Sequence, residues 1–172
     1  MYKRQVNGLI FSFDPGRTAE NIGFKKIIVR TDLLFLNEEE LRRYIGIAPD
    51  KGTLMKFART FPGIVIVKMG ERGAIATDGF EFCKSPAFPT AAVDTLGAGD
   101  AFAAGFVMAW TRYENIETAL HVANAVAALT IRERGAQNGQ PTLEEVATLL
   151  KDYKISIEPI LRTFRKRQRK RK

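Results

Sequence analysis

The chain has 172 residues, 45% of them apolar and 27% charged, which are globular values and exclude a fibrous or disordered polymer. Its 27 lysines and arginines stand against 19 acids, a formal charge of +8, yet eight of those basic residues fall in the last eleven, Arg162 to Lys172. Residues 1–161 are therefore neutral. The single Cys83 and single His121 exclude an internal disulfide framework, a cysteine-rich zinc site and a multi-histidine metal centre. One cysteine also fits a reducing, cytoplasmic setting. The N-terminus carries only a very short apolar run before Asp14, so neither a signal peptide nor a membrane span is expected.

Taken in order, short β-rich runs alternate with helical stretches. GLIFSF (8–13) predicts a strand ended by the turn Asp14-Pro15-Gly16. DLLFLN (32–37) predicts a second strand, running into a helix over 37–46 with Asn37 as its cap and acids in its first turn. Asp50 is placed to cap a further helix, with Leu54, Phe57, Ala58 and Phe61 at helical spacing. GIVIVKMG (63–70) is a continuous apolar run with β-branched residues, as in a strand covered on both faces. GAIATDGFEFCKS predicts a hairpin turning at Asp78-Gly79. An Ala/Phe-rich helix follows DTLGAGD, and IETALHVANAVAALTIRER predicts a second, almost wholly apolar one. Pro141 precedes a capping box of Thr142 and Glu145 that opens the last helix. This alternation implies an α/β layered domain over residues 1–152 with a largely parallel sheet, followed by an extension, 153–172, ending in the basic tail.

The segment most suggestive of chemistry is Asp94-Thr95-Leu96-Gly97-Ala98-Gly99-Asp100. Small residues at 97–99 let the backbone approach a ligand closely, and the helix that follows aims its free N–H groups at the same spot. Such a helix start favours an anion. Asp100 in that turn has two readings. It is a helix cap, or it is a carboxylate positioned to take a proton from a hydroxyl attacking a phosphoryl group held by the N–H groups. The segment is not a dinucleotide fingerprint, because Phe102 stands where the third glycine is needed, and no Walker P-loop occurs in the chain.

Four ordered motifs resemble the ribokinase-like (PfkB) sugar and nucleoside kinases. Asp94-Thr95-x-Gly97-Ala98-Gly99-Asp100-Ala101-Phe102 is similar to that family's C-terminal signature. Asn37-x-x-Glu40 after an apolar strand resembles its N-x-x-E motif. Lys68-Met69-Gly70-Glu71-Arg72-Gly73 resembles its nucleotide-binding turn, and Asn124 with Arg134-Gly135-Ala136-Gln137 resembles its adenine-side helix and loop. The resemblance covers about residues 8–150 and implies a ribokinase-like fold.

It also implies roles. Asp100 would be the base, and the amides of Gly97, Ala98 and Gly99 the anion hole for the γ-phosphoryl of ATP. Asn37 and Glu40 would act on Mg2+ through water, as that ion's reluctance to dehydrate favours. Lys68, Gly70, Glu71, Arg72, Gly73, Thr95 and Asn124 would line the nucleotide. A monovalent cation such as K+ would sit by Asp94, Leu96, Thr130, Glu133, Gly135 and Gly139. In isolation, Asn37 with Glu40 also reads as a capped helix, and Gly70 with Gly73 as a strand-end turn.

The chain departs from the family's pattern in two ways. Lys68 stands where Thr or Ser is common, so a hydroxyl contact is replaced by a charge. The family's N-terminal half, with its substrate glycines and β-rich lid, has no counterpart in the chain. A sheet edge and an apolar face left uncovered would call for self-association or an N-terminal partner chain. The expected function is phosphoryl transfer from ATP to a sugar or nucleoside hydroxyl; the alternative is a catalytically idle nucleotide-binding or regulatory module. The tail is either a disordered solubilising segment or a non-specific contact with RNA, DNA or an acidic membrane surface. In the second case, removing residues 162–172 should abolish RNA or DNA retention in a filter-binding assay, and raising salt should weaken it steeply.

Overall fold

A computed structural model of the chain describes residues 8–16 and 23–157. The chain divides into two compact units, Met1–Lys84 and Ser85–Lys172. In the first lie β1 (Ser12–Phe13), α1 (Phe24–Ile28), β2 (Leu33–Asn37), α2 (Glu38–Glu40), α3 (Lys51–Ala58), β3 (Ile64–Lys68) and β4 (Ala74–Thr77). β5 (Phe82–Ser85) closes that run. The sheet order is β1-β2-β3-β4-β5. β1 and β3 both run parallel to β2, whereas β4 is antiparallel to β3. The reason is connection length: helices link the first three strands, but only the turn around Gly70–Arg72 separates β3 from β4.

One face of this sheet explains the choice of residues. Leu34 and Leu36 lie opposite Val65 and Val67, and Val67 opposite Ile75. Together with Phe24, Leu41, Leu54, Ala58 and Phe61 from the flanking elements they form one buried cluster. Residues of the opposite face, Leu33, Phe35, Ile64 and Ile66, are buried as well. That is why β2 and β3 read as continuous apolar runs rather than alternating ones.

Three elements differ from the sequence expectation. The first strand is two residues long, not six. The Phe11 carbonyl accepts the amides of both Asp32 and Leu33, and the Phe11 amide donates to the Asp32 carboxylate, so the ladder ends there. Leu9 and Ile10, which precede it, are exposed. The helix expected over 37–46 begins as α2 but widens into a π-helical turn, Leu41–Ile45, closed by Gly46 at φ 79°. Within that turn, the Tyr44 hydroxyl donates to the Gly16 carbonyl at 2.7 Å, a tertiary bond that periodicity does not report. Helix α1 was not anticipated; it is short, and Gly23 precedes it in a left-handed conformation.

The second unit is helical. α4 (Ala98–Tyr113) and α5 (Ile116–Thr130) are joined by Glu114 and Asn115 and pack on each other, and α6 (Leu143–Asp152) packs against α5. Buried Ala101, Phe102, Gly105, Phe106 and Ala109 mark the packed face of α4 at helical spacing. Gly105 lets the helices approach closely: a Cβ there would lie 3.0 Å from Val126 and 3.2 Å from the Cα of Ala123. Asn115 caps α5, and the capping box of Thr142 and Glu145 starts α6 as expected. The basic tail lies outside the described residues.

Gly63 provides a direct test of the first unit's packing. A Cβ there would sit 2.1 Å from the Asp32 carbonyl oxygen, whereas at Gly52 the nearest atom is a side-chain oxygen at 3.4 Å. Gly63→Ala should lower stability by about 1–3 kcal/mol in urea denaturation. Gly52→Ala, inside α3, should leave it unchanged or raise it by up to about 1 kcal/mol.

Candidate active site

The first unit gathers polar side chains where its parallel strands end. Asp14 follows β1, Asn37 ends β2, and Lys68 ends β3 directly opposite Asn37. In open α/β sheets the carboxyl ends of parallel strands are where ligands bind, because side chains and amides converge there beyond the ladder. Lys68 is ion-paired to Asp14, with side-chain exposures of 18% and 27%. Arg72 is ion-paired to Glu38, and that contact holds the guanidinium above its ordinary pKa.

Asn37 and Glu40 satisfy each other. The Glu40 amide donates to Asn37 Oδ1 and the Asn37 amide to Glu40 Oε2, both at 2.8 Å, which makes a complete capping box. Glu40 is buried at 6% exposure, so this carboxylate serves α2 as well as any ligand. The nucleotide-turn motif is compact. The Met69 amide donates to the Gly73 carbonyl at 2.8 Å, and Gly70 and Gly73 have φ of 58° and 84°, values suited to glycine.

In the second unit, Asp94 organises the loop ahead of α4. Its carboxylate accepts the Leu96 amide at 3.0 Å and the Gly135 amide at 2.9 Å, so it ties the two motif segments together. Those two amides, with a smaller contribution from Arg134, hold its pKa below the ordinary value. Gly97 follows at φ 80°, and a Cβ on it would meet Ala136 at 2.8 Å. The left-handed turn and the close approach thus both require glycine.

At the start of α4 the Ala98 amide donates to the Thr95 carbonyl at 3.2 Å, while the amides of Gly97, Gly99 and Asp100 have no acceptor among the described residues. Of the three amides expected to form an anion hole, one is therefore already engaged, and the Asp100 amide is added. The Asp100 side chain is exposed and makes no capping bond among the described residues. Thr95 and Leu96 are exposed beside it.

The remaining candidates fall into place around α5. Asn124 is buried, and its amide nitrogen donates to the Ser85 carbonyl, the Ser85 hydroxyl and the Pro86 carbonyl at 3.1, 2.9 and 3.2 Å. It clamps the end of β5, a structural duty that its sequence context did not reveal. The Thr130 carbonyl oxygen lies only 2.1 Å from where a Cβ on Gly139 would sit, so these two expected cation-site residues are adjacent. Glu133 is exposed. His121 is half-buried, and burial lowers its pKa against the opposing effect of Glu117. Cys83 is a buried strand residue. Among the described residues no three His, Cys, Asp or Glu cluster as a metal-ligand set, and no helix is long and apolar enough to cross a membrane.

Comparison with known proteins shows the family. The sequence pattern of the pfkB family carbohydrate kinases matches residues 17–143. The chain belongs to that family. Its relatives include an ATP-dependent ribose-1-phosphate kinase of Halopiger xanaduensis, 37% identical over 152 residues, which cover 84% of this chain and 47% of that protein. Among solved structures, a ribokinase from Thermotoga maritima superposes with a TM-score of 0.72 at 33% identity, over 83% of this chain and 49% of the other. An Arabidopsis thaliana ribokinase complexed with ribose and ATP does so with 0.72 at 29% identity, over 84% and 48%. The ribokinase-like α/β fold is thereby shown. This PfkB chain spans about half the length of these relatives.

Asp94 offers a pH test of the loop. Its folded pKa lies below the ordinary 3.8, so its stabilisation is complete above that value and is lost as pH falls through the depressed one. Asp94→Asn should therefore be less stable than the parent at pH 7. The difference should close below pH 3.8 when urea midpoints are compared across pH.

Proposed function

We propose that this chain is the nucleotide half of an ATP-dependent PfkB kinase that phosphorylates a hydroxyl of a sugar or nucleoside. The observation carrying the reading is the head of α4. There an exposed Asp100 carboxylate stands beside amides of Gly97, Gly99 and Asp100 that have no acceptor among the described residues, in a turn whose left-handed glycine leaves the backbone bare. Backbone amides of this kind suit phosphate oxygens, and their fixed dipoles need no reorganisation as charge develops.

In this reading Asp100 accepts the proton of the acceptor hydroxyl as its oxygen bonds to the γ-phosphorus. The amides of Gly97 and Gly99 hold the transferring group's oxygens, and Ala98 supports the turn through its bond to Thr95. ATP, when bound, supplies the phosphoryl group and departs as ADP once the β–γ bridging bond breaks. Lys68, the Gly70–Gly73 turn and Arg72 are assigned to the nucleotide, with Thr95 near its phosphates. Asn124 is assigned to the adenine side through the β5 end that it clamps.

Mg2+ fits the Asn37–Glu40 pair only through water. Each of those side chains already bonds the other's amide, and Mg2+ commonly keeps several of its waters. A K+ site by Asp94, Leu96, Thr130, Glu133, Gly135 and Gly139 would rest on carbonyl oxygens, since the Asp94 carboxylate is occupied by amides. β1 lies at the end of the sheet order with Leu9 and Ile10 exposed before it, which supports a second copy or a complementary chain against that edge. A second reading, a nucleotide-binding module without turnover, draws support from the mutual capping of Asn37 and Glu40.

The two readings separate in one experiment. ADP release should be measured against a panel of sugars and nucleosides, with ATP affinity followed by calorimetry. Asp100→Asn should lower turnover about 10²–10⁴-fold while ATP affinity is retained. Undiminished turnover in that variant would remove Asp100 from the mechanism, and binding without turnover in the parent would establish the idle module.

A further inference from the structure

We propose that the Lys68–Asp14 ion pair is an exchangeable latch: Asp14 holds Lys68 at the strand ends when no nucleotide is present, and Lys68 leaves it for the polyphosphate. The inference rests on the nucleotide-half reading and adds to it a specificity residue, Lys68, and a positioning residue, Asp14.

Lys68 is the last residue of a strand whose other four members, Ile64 to Val67, are all buried. An ammonium at the mouth of such a strand is costly to desolvate unless a counter-charge accompanies it. Asp14 supplies that charge from just beyond β1, across the intervening β2, and not from a neighbour in sequence. The two side chains are only 18% and 27% exposed, so the pair is shielded more than an ordinary surface contact. Asn37 lies directly opposite Lys68, and Asp14, the residue after β1, reaches Lys68 by its side chain from the far side of β2. The second cation nearby, Arg72, is likewise matched by a carboxylate, Glu38, but at 66% exposure it is bathed in solvent and is the weaker of the two pairs.

A lone carboxylate and a polyphosphate differ as partners for Lys68. The polyphosphate carries several negative charges and many acceptor oxygens, and the carboxylate carries one charge. An ammonium is a compact point charge on a flexible stem, so it can change partners without backbone movement. Hydrogen-bond geometry does not constrain it as it would a hydroxyl. Asp14 therefore competes with the nucleotide for Lys68, and the latch sets a threshold favouring triphosphate and diphosphate over uncharged nucleoside.

The test is calorimetric, on the full chain, with ATP, ADP and adenosine as separate probes. Lys68→Met should weaken ATP and ADP about 10–100-fold and leave adenosine unchanged, whereas Lys68→Arg should retain most of the phosphate affinity. Asp14→Asn should tighten ATP about two- to fivefold by releasing Lys68. That gain should vanish when Asp14→Asn is combined with Lys68→Met; a gain that persists would be a general charge effect and would overturn the latch. Unchanged ATP affinity in Lys68→Met would overturn it too, while leaving the nucleotide reading intact. A parent chain that binds neither ATP nor adenosine would overturn both.

Discussion

The carboxylate of Asp94, shared between the amides of Leu96 and Gly135, is the interaction on which the head of α4 depends. It bonds two segments forty-one residues apart in the chain. Gly97 can then turn left-handed against Ala136, because no Cβ intervenes. The helix starts at Ala98, and the amides of Gly97, Gly99 and Asp100 have no acceptor among the described residues. The anion site proposed there would need no charged side chain. It needs a backbone held still, and a depressed pKa at Asp94 is the electrostatic signature of that holding.

The first unit solves a similar problem differently. Its parallel strands deliver Asp14, Asn37 and Lys68 to one end of the sheet, where Lys68 is paired with Asp14 and, in the turn that follows β3, Arg72 with Glu38. Asn37 and Glu40 close the first turn of α2 on themselves. Such local satisfaction stabilises the folded chain without a ligand, and it also sets what a ligand must displace. Pairs of this exposure contribute modestly, so an incoming polyanion can exchange them. A buried pair lacking that access would be fixed in place.

Much of this was legible along the chain. The Asn37 cap, the Asp50 cap and the box of Thr142 and Glu145 are short-range devices whose partners lie three residues apart, and all three appear as expected. The continuous apolar runs of β2 and β3 announced strands buried on both faces. Even the requirement for glycine at 97 could be read from DTLGAGD, although its reason, the approach of Ala136, could not. The π-helical turn and the two-residue β1 were not legible. They occur where Tyr44 meets Gly16 and where Phe11 meets Asp32, contacts between distant segments.

By itself, then, the sequence determined the element order, the caps, the neutral body with its basic tail, and the four motifs that mark the PfkB family. These are properties of local spacing and composition, and no long-range contact is needed to express them. Only the tertiary structure decided the partners: Asp14 for Lys68, Gly135 for Asp94, and Ser85 and Pro86 for Asn124. Those pairs span 38 to 54 residues, and nothing in either member's neighbourhood specifies the other. Strand pairing and loop closure bring them together, and with them come the electrostatics of the candidate site.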